Sequence, residues 1–244
     1  MGKIKELFFK VVRVLYFTMK SRYERLLSAA IKLGHRGCHS QVGQPSVITR
    51  PQLVFMHDYA RLSGCHIILN NKGRFIMGKY SVASKGLNVV PDMHTSTVGI
   101  PQCCLGASHV HDKVMDVIVE EDVWIGMNVT LLGGSHVKRG CIIGANSLIN
   151  KNTIIPPYSV VAGIPARIIA VKFSIEQIMR HERRLYAPEE RFSQEELEEL
   201  FCTYYQGKKV FGVDEKLTDS EHQMLERTMK KLGFKYPTFN EDDV

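Results

Sequence analysis

Several signals that define other protein classes are missing from this 244-residue chain. It has only one tryptophan. None of its six cysteines forms a Cys-x-x-Cys pair, so the cysteines indicate neither a zinc finger nor a thioredoxin-type redox site. Charged residues interrupt every apolar stretch near the N-terminus, and no small-residue cleavage site follows, so neither a signal peptide nor a membrane-spanning helix is predicted. We therefore expect a cytoplasmic protein with reduced thiols.

Charge is unevenly distributed along the chain. The formal net charge is +7, yet residues 1–33 carry eight Lys or Arg against two Glu, whereas residues 173–244 carry eleven against sixteen acidic residues. A basic middle suits either a phosphorylated ligand or a solvated surface. No nucleic-acid-binding motif accompanies the basic residues, so we expect no nucleic-acid partner.

We expect residues 1–34 to form an amphipathic helix, because Leu7, Val11 and Val14 share one side and basic residues occupy the others. Two interpretations stay open for it. Residues 1–33 make peripheral contact with the inner face of a membrane, or the helix caps the open end of the domain that follows.

A six-residue repeat dominates the middle of the chain. Aliphatic residues recur six apart without a slip, and a small or β-branched residue follows the first seven of them four positions later. A period of six fits neither a helix nor a flat strand. A chain that turns a corner every six residues places each aliphatic in one column, which predicts a parallel β-helix with three hexads in a coil. The aliphatic column is Val119, Ile125, Leu131, Val137, Ile143, Ile149, Ile155 and Val161.

The fold predicted is mainly β, with an N-terminal helix and a C-terminal set of short helices around the β-helix. We expect the β-helix over residues 45–171, with irregular first coils over 45–75 and a structureless loop extruded at 95–116. A helical extension over 172–244 follows, because three capping-box patterns mark helix starts. These pairs are Ser174 with Gln177, Ser193 with Glu196, and Thr218 with Glu221.

Three segments resemble the hexapeptide-repeat O-acetyltransferases, which include the maltose/galactoside, capsular polysaccharide and xenobiotic acetyltransferases. The segments are PDMH at 91–94, EDVWIGMNV at 121–129, and IIGANS with IPPYSVVAGIPARII at 142–169. The resemblance implies a left-handed β-helix, a homotrimer whose sites are shared between chains, and acetyl-CoA as co-substrate.

The resemblance also implies O-acetylation of a sugar hydroxyl in a surface glycan or its precursor. An antibiotic acceptor of the chloramphenicol or streptogramin type is an alternative within the same chemistry. Alternatives of another class are a zinc-dependent β-helix hydratase and a non-catalytic scaffold.

A histidine changes its charge near neutral pH and can take a proton from an acceptor hydroxyl. The resemblance implies that His94 is this general base. Asp92 lies two residues earlier and, on an extended strand, would project to the same face and orient the imidazole; a plain turn aspartate is the alternative. The resemblance further implies that the Met127 N–H stabilises the oxyanion of the reacting thioester.

Acetyl-CoA contacts are implied along the corners and the last coil, with Arg167 as the phosphate partner and Lys138 or Lys172 as substitutes for it. The predicted contacts are Trp124, Gly126, Gly144, Ala145, Asn150, Gly163 and Arg167.

Three further histidines, His66, His109 and His111, are expected to border the acceptor site. His109 and His111 with Cys103 and Cys104 would also suit a metal, but the cysteine pair lacks ligand spacing and we expect no metal.

Overall fold

A computed structural model describes residues 2–70, 72–214 and 216–238, and a parallel β-solenoid of about six turns forms their centre. Each turn contributes one short strand to each of three sheets, except that the last turn ends after two strands. Sheet 1 contains β1 (His35–Arg36), β4 (Val54–Met56), β7 (Phe75–Met77), β12 (Val117–Val119), β15 (His136–Val137) and β18 (Ile154–Ile155).

Sheets 2 and 3 complete the prism. Sheet 2 contains β2 (Gln41–Val42), β5 (Arg61–Leu62), β8 (Val82–Ala83), β13 (Trp124–Ile125), β16 (Ile142–Ile143) and β19 (Ser159–Gly163), extended by the antiparallel β20 (Ala166–Val171) and by β21 (Lys209–Val210). Sheet 3 contains β3 (Val47–Ile48), β6 (Cys65–Ile67), β9 (Leu87–Val90), β14 (Thr130–Leu132) and β17 (Leu148–Ile149).

The aliphatic column lies inside the prism, as the hexad spacing predicts. Val119 pairs with Val137 in the next turn, and Val137 pairs with Ile155, so equivalent positions stack along the axis. These three side chains are 0%, 0% and 4% exposed. Burying a side chain of this size contributes about 1.5–3 kcal/mol, and the repeat multiplies that contribution along the axis.

The corners between sheets use left-handed backbone conformations. Asn128, Asn146 and Asn152 have φ angles of 56–58°, which asparagine tolerates better than most residues. Gly140 has a φ of +73°, and a Cβ there would lie 2.4 Å from the ring of Tyr158. The tight corners therefore select asparagine, glycine and small residues.

The corner between sheets 1 and 2 carries an aromatic column, which consists of His39, Tyr59 and Tyr80. All three have positive φ angles, and the ring of Tyr59 stacks between the other two at centroid distances of 5.1 and 5.9 Å. A positive φ at a bulky residue costs on the order of 1–3 kcal/mol and persists only where the surroundings compensate. Ring stacking provides part of that compensation.

The solenoid starts earlier than the sequence predicted. It begins at His35, where β1 pairs with β4, and not at residue 45, and its first coils contain regular strands. Insertions hide the repeat there: residues Pro51–Leu53 form a 3₁₀ helix, and Met56 pairs with Met77 although the intervening chain is longer than three hexads. The strands still pair because a corner tolerates extra residues without changing the register of the next strand.

The segment expected as a structureless loop at 95–116 is ordered. Strand β10 (Asp92–Met93) pairs antiparallel with β11 (Lys113–Val114), and a short helix α2 (Gln102–Ser108) lies between them. His109 ends this helix in a left-handed conformation, and its N–H donates to Leu105 O. Leu105 is 1% exposed and anchors the helix, so the expectation of a loop without structure was wrong.

The N-terminal helix α1 spans Gly2–Ala30, and its apolar side chains remain largely exposed. Leu7, Phe9 and Leu26 are 64%, 68% and 70% exposed. The contacts with the solenoid come from its C-terminal end and the residues that follow, where Ser28 Oγ donates to Val42 O and Ile31 packs on the core. None of the helices in the described part of the chain is long and apolar enough to cross a bilayer.

The C-terminal extension contains α3 (Ile175–Leu185), α4 (Gln194–Leu200), a π-helical turn (Phe201–Tyr205) and α5 (Asp219–Leu232). The capping boxes at Ser174 and Ser193 are confirmed. At the start of α5, the Thr218 N–H donates to the Glu221 carboxylate at 2.8 Å. The predicted extension runs to residue 244, and its last residues, 239–244, lie outside the part of the chain that the structure describes.

A buried carboxylate joins the extension to the solenoid. Glu182 is 1% exposed and accepts hydrogen bonds from Tyr158 OH at 2.8 Å, Phe192 N at 2.7 Å and Arg139 Nη1 at 3.2 Å. A buried charge is tolerated only when it is paired and hydrogen-bonded, and Glu182 meets both conditions. The extension is therefore held at the corner between sheets 1 and 2.

Candidate active site

The ordered segment from His94 to Asp112, between β10 and β11, leaves the solenoid, and we call it the excursion. Three of its side chains form a hydrogen-bonded cluster, which we call the His–Asp–His cluster. Asp112 Oδ1 lies 2.8 Å from His94 Nδ1, and Asp112 Oδ2 lies 2.8 Å from His109 Nδ1. The Asp112 side chain is 3% exposed, whereas the imidazoles of His94 and His109 are 35% and 39% exposed. The carboxylate is thus covered while both rings reach solvent.

The fold brings these residues together from the two ends of the excursion. His94 follows β10, while His109 and Asp112 precede β11, and the antiparallel pairing of the two strands places them side by side. Gly106 on α2 faces the ring, since a Cβ there would lie 3.9 Å from His94 Nε2. The small residue leaves room beside the nitrogen that a substrate would approach.

The hydrogen bond from His94 holds the pKa of Asp112 below its usual range, and the hydrogen bond from His109 acts in the same direction. An ionised carboxylate only accepts hydrogen bonds, so both imidazoles carry a proton on Nδ1. The Nε2 atom of each ring is then the basic nitrogen of the neutral form. The cluster can therefore present two oriented proton acceptors.

Asp92 does not orient His94, which corrects the expectation from the sequence. Its Oδ2 accepts a hydrogen bond from Asn70 N at 2.6 Å, and its buried Oδ1 has no partner among the described residues. Asp92 pairs with Val114 in the two-stranded ribbon of β10 and β11, and its carboxylate is bonded to the backbone at Asn70 and not to His94. The sequence offered a signal for Asp112, which follows His109 and His111 in the motif HVHD.

The other acceptor-site histidines lie apart from the cluster. His111 is exposed in the excursion, with its Nδ1 3.3 Å from Thr97 Oγ1. His66 lies on the outer face of sheet 3, where it pairs with Asn88, and it lines a separate cavity of about 360 Å³ with Lys85 and Asn128. Of the three predicted acceptor residues, only His109 joins His94.

The corner between sheets 2 and 3 presents the predicted acetyl-CoA contacts. Trp124 is 52% exposed and Met127 is 51% exposed, although Ile125 between them is buried. A Cβ on Gly126 would lie 2.6 Å from Ala145 N, so only glycine allows the two corners to stack this closely. Gly144 occupies the equivalent place one turn later, and a Cβ there would lie 3.0 Å from Ala162 Cβ.

The remaining predicted contacts lie towards the last turn and are solvent-accessible. Asn150, Gly163 and Arg167 are exposed, and Arg167 Nη1 donates to Ala166 O at 2.9 Å. The substitutes suggested for Arg167 are already paired. Lys172 Nζ lies 2.6 Å from Asp122 Oδ2, and Lys138 Nζ lies 3.0 Å from Glu120 Oε1.

Within one chain, the two halves of the candidate site remain separate. In the described residues, no hydrogen bond, ion pair or ring contact joins the His–Asp–His cluster to Trp124, Gly126, Met127 or Gly144. The cluster also offers three ligand atoms within 4.8 Å of one another, a number that catalytic zinc sites use. The cysteines of α2, Cys103 and Cys104, are exposed and take no part in it.

Comparison with known proteins supports the repeat and the fold. Residues 116–151 match the family model "Bacterial transferase hexapeptide (six repeats)". This chain contains the bacterial transferase hexapeptide repeat. The chain is 44% identical over 63 residues to a probable macrolide acetyltransferase from Lysinibacillus sphaericus, which is 26% of this chain and 34% of that protein.

A longer match concerns a glycan enzyme. Over 100 residues the chain is 35% identical to the putative lipopolysaccharide biosynthesis O-acetyl transferase WbbJ from Escherichia coli K12, which is 41% of this chain and 40% of that protein. The chain thus matches well under half of the length of these two curated relatives.

The fold also resembles a solved structure, a hexapeptide-repeat-containing acetyltransferase from Vibrio cholerae. The TM-score is 0.50 at 22% identity, and the match covers 57% of this chain and 74% of that chain. At this identity the likeness supports the solenoid fold.

Proposed function

We propose that this hexapeptide-repeat protein transfers the acetyl group of acetyl-CoA to a hydroxyl of a surface glycan or its precursor. The observation that carries the proposal is the hydrogen bond of 2.8 Å between His94 Nδ1 and Asp112 Oδ1, which orients the Nε2 atom of His94 as a base. The repeat and its acetyltransferase relatives supply the reaction class.

His94 Nε2 takes the proton of the acceptor hydroxyl while the hydroxyl oxygen bonds to the carbonyl carbon of the thioester. The Met127 N–H, in the exposed corner after Trp124, donates to the oxygen on which negative charge develops. When the carbon–sulfur bond breaks, His94 returns the proton to the sulfur. The products are the acetylated acceptor and CoA, and Asp112 remains ionised throughout.

The separation of the two halves within one chain supports a site shared between chains. We propose a homotrimer in which the His–Asp–His cluster of one chain faces Trp124 and the Gly126 and Gly144 corners of its neighbour. A half-exposed tryptophan is an unusual surface residue, and a neighbouring chain would cover it. A monomeric mass in sedimentation would exclude this arrangement.

Helix α1 supports an acceptor at the inner face of a membrane. Its exposed apolar residues cover a broad side of the helix, and basic residues such as Lys10, Arg13 and Lys20 flank that side. A helix of this kind lies in the interface of an anionic membrane with its apolar side buried. Co-sedimentation with anionic but not neutral vesicles, lost on deletion of residues 1–27, would support this location.

A second candidate acceptor is an antibiotic. The relatives named for macrolide and chloramphenicol acetylation, at 44% and 36% identity over 63 residues, favour it over acceptors without such a match. In that case α1 would have no role in substrate access.

Release of CoA thiol from acetyl-CoA tests the function directly. Wild-type protein is assayed with a panel of glycans, nucleotide sugars and antibiotics, and His94→Ala is the control for background hydrolysis. Turnover with a glycan that His94→Ala lacks supports the proposal, whereas turnover with antibiotics alone selects the second candidate. No acceptor-dependent thiol release combined with no acetyl-CoA binding would indicate a scaffold instead.

A further inference from the structure

One cavity lies between the aromatic column of the solenoid and the C-terminal extension, and a second cavity lies within the extension. The first, with a volume of about 310 Å³, is lined by Tyr59, Tyr80, Phe234 and Tyr236 among others. The second, with a volume of about 660 Å³, lies between α3 and the segment that leads to α5. Both cavities are lined by His181 and Arg184, so they meet at these two residues, and we call the pair of cavities the groove.

The second cavity is strongly basic. Its lining includes four cationic side chains, and Asp214 is the one carboxylate among the described lining residues. Asp214 pairs with Arg180, and the described lining residues carry more positive than negative charge. Two histidines also line this cavity. The four cations are Arg180, Arg183, Arg184 and Lys216, and the histidines are His181 and His222.

The first cavity is aromatic. Phe234 meets Tyr59 and Tyr80 edge-on at centroid distances of 5.3 and 5.7 Å, and Tyr236 meets Phe234 at 5.3 Å. Tyr59 OH donates to Gly233 O at 2.9 Å, which fixes this part of the extension on the column. The cavity therefore has ring walls that are positioned before any ligand arrives.

Asp122, the one acidic residue among the described lining residues of the first cavity, is paired with two basic side chains. Asp122 Oδ2 lies 2.6 Å from Lys172 Nζ and 3.1 Å from His181 Nε2. An anionic ligand in the groove thus meets a compensated carboxylate at Asp122 and net positive charge beyond it. The guanidinium of Arg184, which lines both cavities, lies over the ring of Tyr236 at 5.6 Å from its centroid.

We propose that this groove binds a nucleoside diphosphate, with its base between the rings and its phosphates in the basic cavity. Planar bases stack on aromatic side chains, and arginine forks match phosphate oxygens. Both volumes lie in the range of small-molecule sites, roughly 300–1,000 Å³. None of the residues assigned to acetyl transfer lines either cavity, so the groove is a second site.

The occupant that we infer is the nucleoside diphosphate of a nucleotide-linked sugar, because the contacts assigned to acetyl-CoA lie outside both cavities. The inference does not depend on acetyl transfer, because binding is measured without turnover.

Titration calorimetry at low ionic strength tests the groove, with full-length protein and ADP, UDP, adenosine, pyrophosphate and CoA as probes. We expect ADP or UDP to bind, and adenosine and pyrophosphate to bind about tenfold more weakly or worse, since each fills one cavity. Arg183→Glu should weaken nucleotide binding about tenfold or more. Tyr236→Ala should weaken ADP binding and leave pyrophosphate binding unchanged.

Arg227→Glu is the matched control, because Arg227 is exposed on α5, carries the same charge change and lines neither cavity. It should change the Kd by less than about twofold. Circular dichroism confirms that each variant is folded. CoA, whose assigned contacts lie outside both cavities, should not compete with ADP or UDP.

Three results would overturn the inference. Folded wild-type protein binds neither ADP nor UDP, or Arg227→Glu weakens binding as much as Arg183→Glu does, or pyrophosphate binds as tightly as ADP. The second result would mean non-specific attraction to a basic surface, and the third would mean that the aromatic cavity holds no base. Acetyl transfer, assayed separately by thiol release, is unaffected by any of these outcomes.

Discussion

Asp112→Asn tests the candidate active site most directly. The wild-type carboxylate accepts one hydrogen bond from each imidazole, at 2.8 Å on each oxygen. An amide of the same shape has one accepting oxygen and one donating nitrogen. It can hold only one of His94 and His109 with a proton on Nδ1.

The size of the effect follows from which amide atom faces His94. If the nitrogen faces it, His94 must accept at Nδ1, its Nε2 carries the proton, and no base remains for the hydroxyl. If the oxygen faces it, the tautomer survives but the imidazolium formed during the reaction loses its ionic partner. We expect kcat to fall between roughly 10²-fold for the second case and 10⁴-fold for the first.

The assay is steady-state thiol release at saturating acetyl-CoA with the best acceptor found. The KM for acetyl-CoA should stay nearly constant, because Asp112 lies in the cluster and not along the corners that would hold the cofactor. Asp92→Asn is the matched comparison: it makes the same acid-to-amide change at the start of the same ribbon, and kcat should change less than about threefold. Near-normal turnover by Asp112→Asn, or a larger loss from Asp92→Asn, would refute the reasoning.

Four further results are expected. His94→Ala should lower kcat by roughly 10²–10⁴ with acetyl-CoA affinity retained, whereas Arg167→Ala should raise the KM for acetyl-CoA and leave kcat nearly constant; equal loss of cofactor binding in both would contradict the assigned roles. Leu131→Ala, at a fully buried position of the column, should lower the free energy of unfolding by about 2–5 kcal/mol in urea titration. Burial raises the pKa of Asp122, but the hydrogen bond from His181 and the charge of Lys172 lower it more, so its folded pKa lies below the unfolded value. The stabilisation is then present above about pH 4 and lost as the pH falls through the folded pKa, so Asp122→Asn should destabilise the protein at pH 7 and progressively less as the pH falls below about 4. Removal of metal ions with a chelator should leave turnover unchanged, and activity restored by zinc would favour the hydratase alternative.

The sequence by itself determined the repeat of the solenoid and the helix starts in the C-terminal extension. Both depend on local patterns. The hexad column from Val119 to Val161 places one aliphatic side chain of each strand inside the prism. A capping box such as Ser174 with Gln177 satisfies backbone groups within three residues of the helix start. These patterns are complete within a short stretch, so no knowledge of distant contacts was needed to find them.

The tertiary structure alone decided which residues meet across large separations in the chain. Asp112 replaces Asp92 as the partner of His94 because β10 and β11 pair antiparallel, and a strand pairing inside an excursion leaves no periodic trace in the sequence. In the same way, Gly233 reaches Tyr59 across 174 residues. Such contacts form because the prism holds its corners in fixed columns and the buried Glu182 holds the extension against one corner column. Both the cluster and the groove therefore follow from packing between distant segments and not from a local pattern.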